Sequence, residues 1–341
     1  MKSRPTSRDI AHAAGVSQAT VSRALRNSPL VRPETREKIS RIAQELNYRV
    51  DRSAAGLRTR QSRTLALLLF EDVTADTSHI NPFFLALLSS ITRAAAAREY
   101  DVLVSFQQLS RDWVARYEAS NRADGIILLG YGDFVRFAER LEHLKKADAH
   151  FVLWGPDCIA SGVHTVGCDN RLGGIKATRH LLDLGRRRPA FVGNSSDVSP
   201  EFQARFAGFS ATLQDAGISI DDYVIDAGST VEAGYRAAAG LLRNRPDVDA
   251  IFAASDLIAI GACRALNEIG KSVPEDISVV GFDDIPSAIY MTPTLTTIRQ
   301  DTTSAGEQLV DLLLETISGA DAQSRSLQPE LIVRQSCGGL T

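Results

Sequence analysis

Short apolar runs alternate with helical segments from Thr64 to about residue 290, and no other feature of the sequence limits the fold as much. TLALLLF (64–70) and GIILL (125–129) are apolar throughout, as expected for strands buried on both faces of a sheet. The segments 82–100 and 200–216 have the length and pattern of helices. This alternation predicts parallel sheets with helices packed on both faces.

The alternating region is long enough for two such sheets. HFVLW (150–154) ends a first run of strands, and HTVGC (164–168) begins a second run. A single hydrophobic core rarely grows beyond about 250–300 residues. A chain of 341 residues with two runs is therefore expected to form two doubly wound lobes.

The charge of the chain is unevenly distributed. Residues 1–63 contain 14 Lys and Arg but 5 Asp and Glu, whereas the rest of the chain contains 24 and 36. A small basic part on a larger acidic body is typical of a polyanion-binding module joined to a domain with another task. A solvated basic surface is the alternative, and charge alone does not decide between the two.

The basic part has the pattern of two short helices joined by a tight turn. TSRDIAHAA begins with Thr6 or Ser7 as a candidate N-cap, and Gly15 supplies the turn. Ser17 can cap a second helix over residues 18–25. Two short helices with a glycine turn between them predict a helix-turn-helix.

A third helix over residues 33–47 is expected to complete the head. It begins with Pro-Glu, and its apolar residues recur at helical spacing on one face. The small core of the helix-turn-helix is expected to contain Ile10, Ala14, Val16, Val21 and Leu25.

The stretch from Gly15 to Tyr48 resembles the DNA-binding head of the LacI/GalR family of bacterial regulators. Gly-Val-Ser, Thr-Val-Ser-Arg, Pro-Glu-Thr-Arg and Leu-Asn-Tyr all stand at the spacing of that family. The resemblance implies that the helix beginning near Gln18 enters the major groove, with Gln18 and Ala19 at base-reading positions. Gln can pair with adenine and Ala can contact a thymine methyl, while Arg23 can reach guanine or a phosphate.

The resemblance also implies that hydroxyl-bearing residues contact DNA, mostly at phosphates, which fixes the register without reading sequence. These residues are Thr6, Ser7, Ser17, Thr20, Ser22 and Tyr48. For Thr20 and Ser22, helix capping and solvation are the alternative.

Residues 51–62 resemble the hinge helix of the same family. Leu57 falls where relatives insert an apolar wedge into the minor groove. A helix this short is not stable alone, and Gly56 weakens it by roughly 0.5–1 kcal/mol relative to Ala. We therefore expect it to order only on DNA, opposite the same segment of a second copy, although a plain linker is the alternative.

The resemblance continues through DNRLGG, SDLIAIGACRAL and VPEDISVVGFDD to the end of the core. It implies an all-α helix-turn-helix head and an α/β core of two doubly wound parallel-sheet lobes, similar to a periplasmic binding protein and linked by three crossovers. A small molecule is expected between the lobes, at the carboxyl ends of the strands. The expected boundaries are 1–50 for the head, 51–62 for the hinge, 63–159 and 291–320 for the first lobe, and 160–290 and 321–341 for the second lobe.

Residues that follow strand ends are the candidates for contact with this effector. Arg205 matches a family position whose planar guanidinium binds hydroxyls or carboxylates, with a solvated helix arginine as the alternative. Trp154 can stack on a sugar face as an exposed indole or pack in an interface. Carboxylates beside an arginine and an aromatic wall suit a polyhydroxylated ligand. The expected effector-binding residues are Phe83, Phe84, Trp154, Arg205, Ser255, Asp256 and Asp283.

The resulting hypothesis is a DNA-binding transcription regulator, a repressor in the usual manner of the family, controlled by a sugar or glycoside. A homodimer on a palindromic operator is expected. An activator, or a regulator that responds to another metabolite such as a nucleobase, is the alternative.

The sequence disfavours two other classes of protein. An enzyme is disfavoured because GxGxxG after the first strand, GxxxxGK[ST] and GxSxG are all missing, and the six histidines have no metal-ligand spacing. No cofactor or metal is therefore expected. An exported solute-binding protein is disfavoured by the basic head and by an N-terminus without an apolar signal. We expect a cytoplasmic protein at the nucleoid, without a membrane segment.

Overall fold

Contacts between residues divide the chain into two compact units, Met1–Ser62 and Arg63–Thr341. The structure is a computed structural model. It describes residues 5–25, 27–46, 48, 61–70, 80–107, 116–130, 134–156, 162–193, 199–219 and 223–339. Leu57, the expected wedge, lies outside the described residues, as does most of the expected hinge segment.

The first unit contains a head of three helices. Before the first helix, the backbone N–H and the hydroxyl of Thr6 both donate to Oδ2 of Asp9, at 2.7 and 2.8 Å, which fixes the first turn. Gly15 ends this helix with a φ of +69°, a conformation that favours glycine. The helices are α1 (Ser7–Ala14), α2 (Gln18–Leu25) and α3 (Pro33–Glu45).

The core of the head lies where the three helices meet. Ile10, Val21 and Ile39 are completely buried, one from each helix. Val16 and Leu25 are half-buried and pack against the same cluster. The expected core of the head is therefore confirmed.

The first lobe of the core is a six-stranded parallel sheet in the order β11-β5-β4-β3-β1-β2. Its strands are β1 (Thr64–Phe70), β2 (Asp101–Gln107), β3 (Gly125–Leu129), β4 (Phe151–Trp154), β5 (His164–Cys168) and β11 (Arg325–Leu327). The described helices of this lobe are α4 (Pro82–Ala97), α5 (Phe134–Lys146) and α10 (Thr302–Ser318). Apolar residues of α4 and α10 pack against one face of the sheet.

The second lobe is a six-stranded sheet in the order β12-β10-β9-β8-β6-β7, in which β12 alone runs antiparallel to its neighbour. Its strands are β6 (Pro189–Val192), β7 (Val224–Ile225), β8 (Ala250–Ala253), β9 (Ser278–Asp283), β10 (Thr296–Arg299) and β12 (Glu330–Ile332). Its helices are α6 (Asn170–Asp183), α7 (Pro200–Asp215), α8 (Val231–Asn244) and α9 (Asp256–Glu268), with 3₁₀ turns at Pro286–Tyr290 and Gln335–Cys337.

The expected fold class is confirmed, but three of the expected lobe boundaries are wrong. β5 was expected to open the second lobe, yet it pairs with β4 and β11 in the first-lobe sheet. β10 was expected in the first lobe, but it pairs with β9 in the second-lobe sheet. β11 was expected in the second lobe, but it pairs with β5 in the first-lobe sheet. The physical reason is that a strand belongs to the sheet that supplies its hydrogen-bond partners, which a local apolar pattern does not specify.

The described elements place the three crossings between the lobes at 168–170, 299–302 and 327–330. No helix in the described part of the chain has both the length and the apolar character needed to span a membrane.

In the second lobe, α6 and α7 pack with their backbones in close contact. A Cβ at Gly174 of α6 would lie 2.2 Å from the carbonyl oxygen of Arg205, and one at Gly208 of α7 would lie 2.2 Å from that of Arg171. Only glycine allows this approach. Close packing of α6 and α7 therefore holds Arg205 at the end of the sheet.

Candidate functional site

The helix expected to read DNA presents its polar face to solvent. Gln18, Ala19 and Arg23 are exposed, whereas Val21 and Ala24, on the opposite face of α2, are buried. The expected base-reading residues thus share one open face of the helix. Their contacts with bases stay a prediction.

Ser17 caps this helix in a way that leaves a donor available. Its Oγ accepts the backbone N–H of Thr20 at 3.1 Å, and the two hydroxyls lie 2.8 Å apart. Both oxygens are at the exposed end of α2, so one hydroxyl hydrogen of the pair remains for an outside acceptor such as a phosphate. Capping and phosphate contact, the two alternatives for Thr20, are therefore compatible.

The other expected DNA contacts have different environments. Thr6 closes the first turn of α1 with Asp9, and these hydrogen bonds lower the pKa of Asp9. Ser7 accepts a hydrogen bond from the side-chain amide of Gln18 at 2.7 Å. Ser22 is half-buried, and Tyr48 packs against the core of the head.

Arg205 is the centre of the candidate effector site. It lies on α7, is 4% exposed, and its guanidinium stacks on the ring of Phe282 at 3.6 Å. Nε donates to Oδ1 of Asn170 at 2.8 Å, and Nη1 donates to the carbonyl oxygen of Ala254. The expected alternative, a solvated helix arginine, is therefore wrong.

Asp283 faces this guanidinium from the end of β9. One carboxylate oxygen lies 3.7 Å from Nη1 of Arg205 and accepts a hydrogen bond from the amide of Gln300 at 2.7 Å. The residue has a φ of +114°, a strained conformation for a residue other than glycine. Burial raises the pKa of Asp283 to about 6, although Arg205 and Gln300 lower it.

A second carboxylate beside Arg205, Glu201, was not anticipated from the sequence. It lies one turn earlier on α7 and is half-buried. Desolvation raises the pKa of Glu201 to about 7, against the lowering effect of Arg205. The site therefore contains more carboxyl groups than guanidinium groups.

Asp256 is close to this cluster but has internal partners. It is completely buried, and its two oxygens accept hydrogen bonds from the backbone N–H of Ile285 at 2.8 Å and the hydroxyl of Thr297 at 2.5 Å. Burial and the nearby Asp283 raise the pKa of Asp256 well above its usual value. These contacts tie the start of α9 to β10 and to the loop after β9.

Ser255 is linked to the first lobe through the hydroxyl of Ser229. It is 1% exposed, and its Oγ accepts the backbone N–H of Ile258 at 3.4 Å and the hydroxyl of Ser229 at 2.9 Å. Oγ of Ser229 also accepts from the amide of Asn81, the N-cap of α4 in the first lobe, at 3.5 Å. Helix starts of both lobes therefore meet at the cleft.

The aromatic residues of the first lobe are more buried than expected. Trp154 is 5% exposed and its ring lies 5.6 Å from that of Phe83, which is 4% exposed. The expectation of an exposed indole is wrong, because α4 covers the end of β4. Phe84 is half-buried, with its ring 5.4 Å from that of Phe83, and it supplies the accessible part of the aromatic wall.

Asn170 and Gln300 are two further polar residues that sequence reasoning missed. Asn170 holds Arg205, Gln300 holds Asp283, and both are 4% exposed. Each stands at a crossing between the lobes, which is the signal that could have identified them. Within the described ranges, no group of three or more His, Cys, Asp or Glu side chains is placed to hold a metal ion.

Comparison with known proteins agrees with this architecture. Residues 6–51 match the model of bacterial regulatory proteins of the lacI family, and residues 178–337 match that of the periplasmic binding protein-like domain. The transcriptional regulator CelR of Thermobifida fusca is 32% identical over 98% of both chains.

Solved structures of related regulators are similar to this chain over nearly its whole length. A CelR–cellobiose complex has a TM-score of 0.70 at 31% identity and covers 98% of this chain and 100% of its own. The lac repressor dimer bound to operator and the anti-inducer ONPF has a TM-score of 0.83 at 26% identity, over 98% of this chain and 99% of its own. The chain therefore belongs to the lacI family of bacterial regulatory proteins, which are DNA-binding transcription regulators.

Proposed function

We propose that this chain is a repressor whose affinity for DNA is set by a sugar or glycoside bound between its two lobes. The observation that carries the proposal is the state of Arg205. Nε and Nη1 have protein acceptors, whereas Nη2 donates to no described residue. Because an arginine held by a stacked ring and two hydrogen bonds loses little further freedom on binding, Nη2 is a preorganised donor for a ligand oxygen.

The charge of the cluster favours a neutral, hydroxyl-rich ligand. Asp283 compensates the single guanidinium and Glu201 adds a second carboxyl group, so the cluster has no excess positive charge to attract an anionic ligand. Carboxylates accept hydrogen bonds from hydroxyls, and Phe84 supplies an apolar surface on the other lobe. The cellobiose in the related CelR complex is a ligand of this chemical class.

Not all of the expected effector contacts remain in this proposal. We assign direct contact to Arg205, Asp283 and Phe84. Asp256 and Ser255 are given structural roles, because their side-chain oxygens already hold α9.

The exposed apolar residues support assembly as a homodimer. Val104 and Phe106 on the edge strand β2 are 40% and 47% exposed, and Leu85 on α4 is 45% exposed. Edge strands that display apolar side chains are normally covered. A second copy on this face would give a dimer with one head for each half of a palindrome, and one related solved structure is a lac repressor dimer bound to operator.

Effector and DNA are coupled through the arrangement of the two lobes. A ligand shifts this equilibrium only by binding one arrangement more tightly than the other. The contact from Asn81 to Ser229 crosses the cleft and is made only when the lobes are close. Because a DNA-binding regulator acts where the DNA is, we place the protein at the nucleoid, in the cytoplasm.

A ligand screen tests the proposal. The full chain is expected to be stabilised against heat by at least one member of a panel of mono- and disaccharides, because a ligand that binds only the folded state raises its stability. Calorimetry with that sugar should give an affinity that falls at least about tenfold in Arg205→Lys, which keeps the charge but loses the planar fork.

Arg236→Lys is the matched control, since Arg236 makes an exposed ion pair with Glu232 on the same lobe and should leave affinity unchanged. Equal sugar affinity in the two variants would remove Arg205 from the site.

A further inference from the structure

A hydrogen bond joins the first residues of the two helices of the helix-turn-helix. Nε2 of Gln18 donates to Oγ of Ser7 at 2.7 Å. Gln18 is the first residue of α2 and is exposed, while Ser7 is the first residue of α1 and is half-buried. The bonds from Thr6 to Asp9 fix the turn from which Ser7 projects.

This bond determines which atoms of Gln18 remain available to DNA. A glutamine amide carries two N–H donors and one carbonyl oxygen. With one N–H held by Ser7, the amide has one donor and one acceptor left, in a fixed orientation. Adenine presents an acceptor at N7 and a donor at N6 in the major groove, whereas guanine presents two acceptors.

We propose that Ser7 is a specificity-determining residue that acts through Gln18, by holding its amide in the orientation that pairs with adenine. Ser7 itself reads no base. Without the Ser7 hydroxyl, the Gln18 amide turns freely and can offer both N–H groups to guanine. The preference for adenine over guanine then falls. This inference rests on the proposed function, in which α2 of the full chain reads DNA.

Ordering of the Gln18 amide before binding also lowers the entropic cost of binding DNA. A long polar side chain loses rotamer freedom when it is fixed on a base, and a side chain that is already held loses less. The hydrogen bond is exposed in the free head. At a DNA interface from which water is excluded, it becomes stronger.

The experiment uses the full chain and a library of random double-stranded DNA. The wild type, Ser7→Ala, Ser7→Thr, Gln18→Ala and the Ser7→Ala/Gln18→Ala double variant are each subjected to selection and sequencing. The position at which Gln18→Ala erases the base preference identifies the base that Gln18 reads. Ser17→Ala is the control, because loss of a phosphate contact lowers affinity for every sequence alike.

Adenine is the expected base at this position in the wild type. Ser7→Ala should reduce the preference for adenine over guanine about two- to tenfold, the range of one net hydrogen bond. Ser7→Thr, which keeps the hydroxyl, should retain the preference for adenine. In the Gln18→Ala background, Ser7→Ala should change no preference, as required if one residue acts through the other.

Three results would overturn the inference: a base other than adenine at the position, an equal loss for all four bases in Ser7→Ala, or an effect of Ser7→Ala that persists without Gln18. Each leaves the proposed function intact, since the protein still selects a sequence. A wild type that selects no sequence refutes the proposed function itself.

Discussion

Replacement of Arg205 by Met tests the electrostatics of the cleft most severely. The guanidinium is 4% exposed and compensates Asp283, whose carboxylate is 6% exposed. Removing one partner of a buried ion pair costs about 3–5 kcal/mol, because the other charge stays buried without compensation. We expect a loss of this size in the free energy of unfolding at neutral pH.

The loss in the free energy of unfolding should increase with pH. The pKa of Asp283 in the folded protein, about 6, lies above its unfolded value of roughly 3.9. The carboxyl therefore contributes stability that is fully present below the unfolded pKa and is lost as the pH rises through the folded pKa. Arg205 lowers this pKa, so in Arg205→Met it rises further and the loss continues to higher pH. The gap between wild type and variant should widen above a pH of about 6.

Urea unfolding followed by circular dichroism, at about pH 5 and about pH 8, measures this gap. Arg236→Met is the control on an exposed ion pair and should cost at most about 1 kcal/mol at either pH. In Arg205→Met/Asp283→Asn, which removes one of the two carboxyl groups whose pKa Arg205 lowers, the gap should widen less, and Glu201→Gln in addition should abolish the widening. A gap that stays constant in Arg205→Met, or a cost no larger than that of the control, would refute the reasoning.

Three further predictions follow from buried contacts and from the hinge. Asp256→Ala should lower the free energy of unfolding by about 1–3 kcal/mol, since the backbone N–H of Ile285 and the buried hydroxyl of Thr297 then lose their acceptors. Thr297→Val in that background should recover part of the loss in the same urea titration, and a further loss would contradict the assignment. Gly174→Ala should cost about 1–3 kcal/mol and weaken sugar binding, because its Cβ would strike the backbone of α7. Gly240→Ala, with nothing within 4 Å of its Cβ, should instead stabilise the protein by about 0.5–1 kcal/mol, and equal effects of the two would disprove the packing argument. Leu57→Ala should reduce operator affinity and the bend that gel mobility reports; unchanged bending would eliminate the wedge.

The local sequence pattern predicted the helices and strands well, but it did not predict which strands pair with each other. The helix-turn-helix could be predicted because its caps, turn and core follow from neighbouring residues such as Thr6, Gly15 and Val21. The lobe assignment of β5 and β10 could not be predicted, because both have the pattern of short strands and differ only in the distant strand that pairs with them. Crossings between lobes are long-range features.

For the candidate effector site, too, some features could be predicted from the sequence and others could not. Arg205 and Asp283 could be named from the motifs around them, and the structure brings them to 3.7 Å. The burial of Trp154 could not be predicted, since it depends on Phe83 of a helix that begins some seventy residues earlier in the chain. The contact of Asn170 with Arg205 could not be predicted either, because it depends on the packing of α6 against α7, and the position of Asn170 at a crossing was the only sequence signal.

Control of DNA affinity by a sugar is the central claim, and one measurement tests it directly. Fluorescence anisotropy gives the affinity of the full chain for its selected palindromic duplex at one salt concentration, with and without the sugar that stabilises the protein most. We predict a change of about 5- to 150-fold, the usual range of coupling between two sites, and a much smaller change in Arg205→Lys. Equal affinity with and without bound sugar, or a palindrome bound no more tightly than a scrambled duplex, would contradict the account.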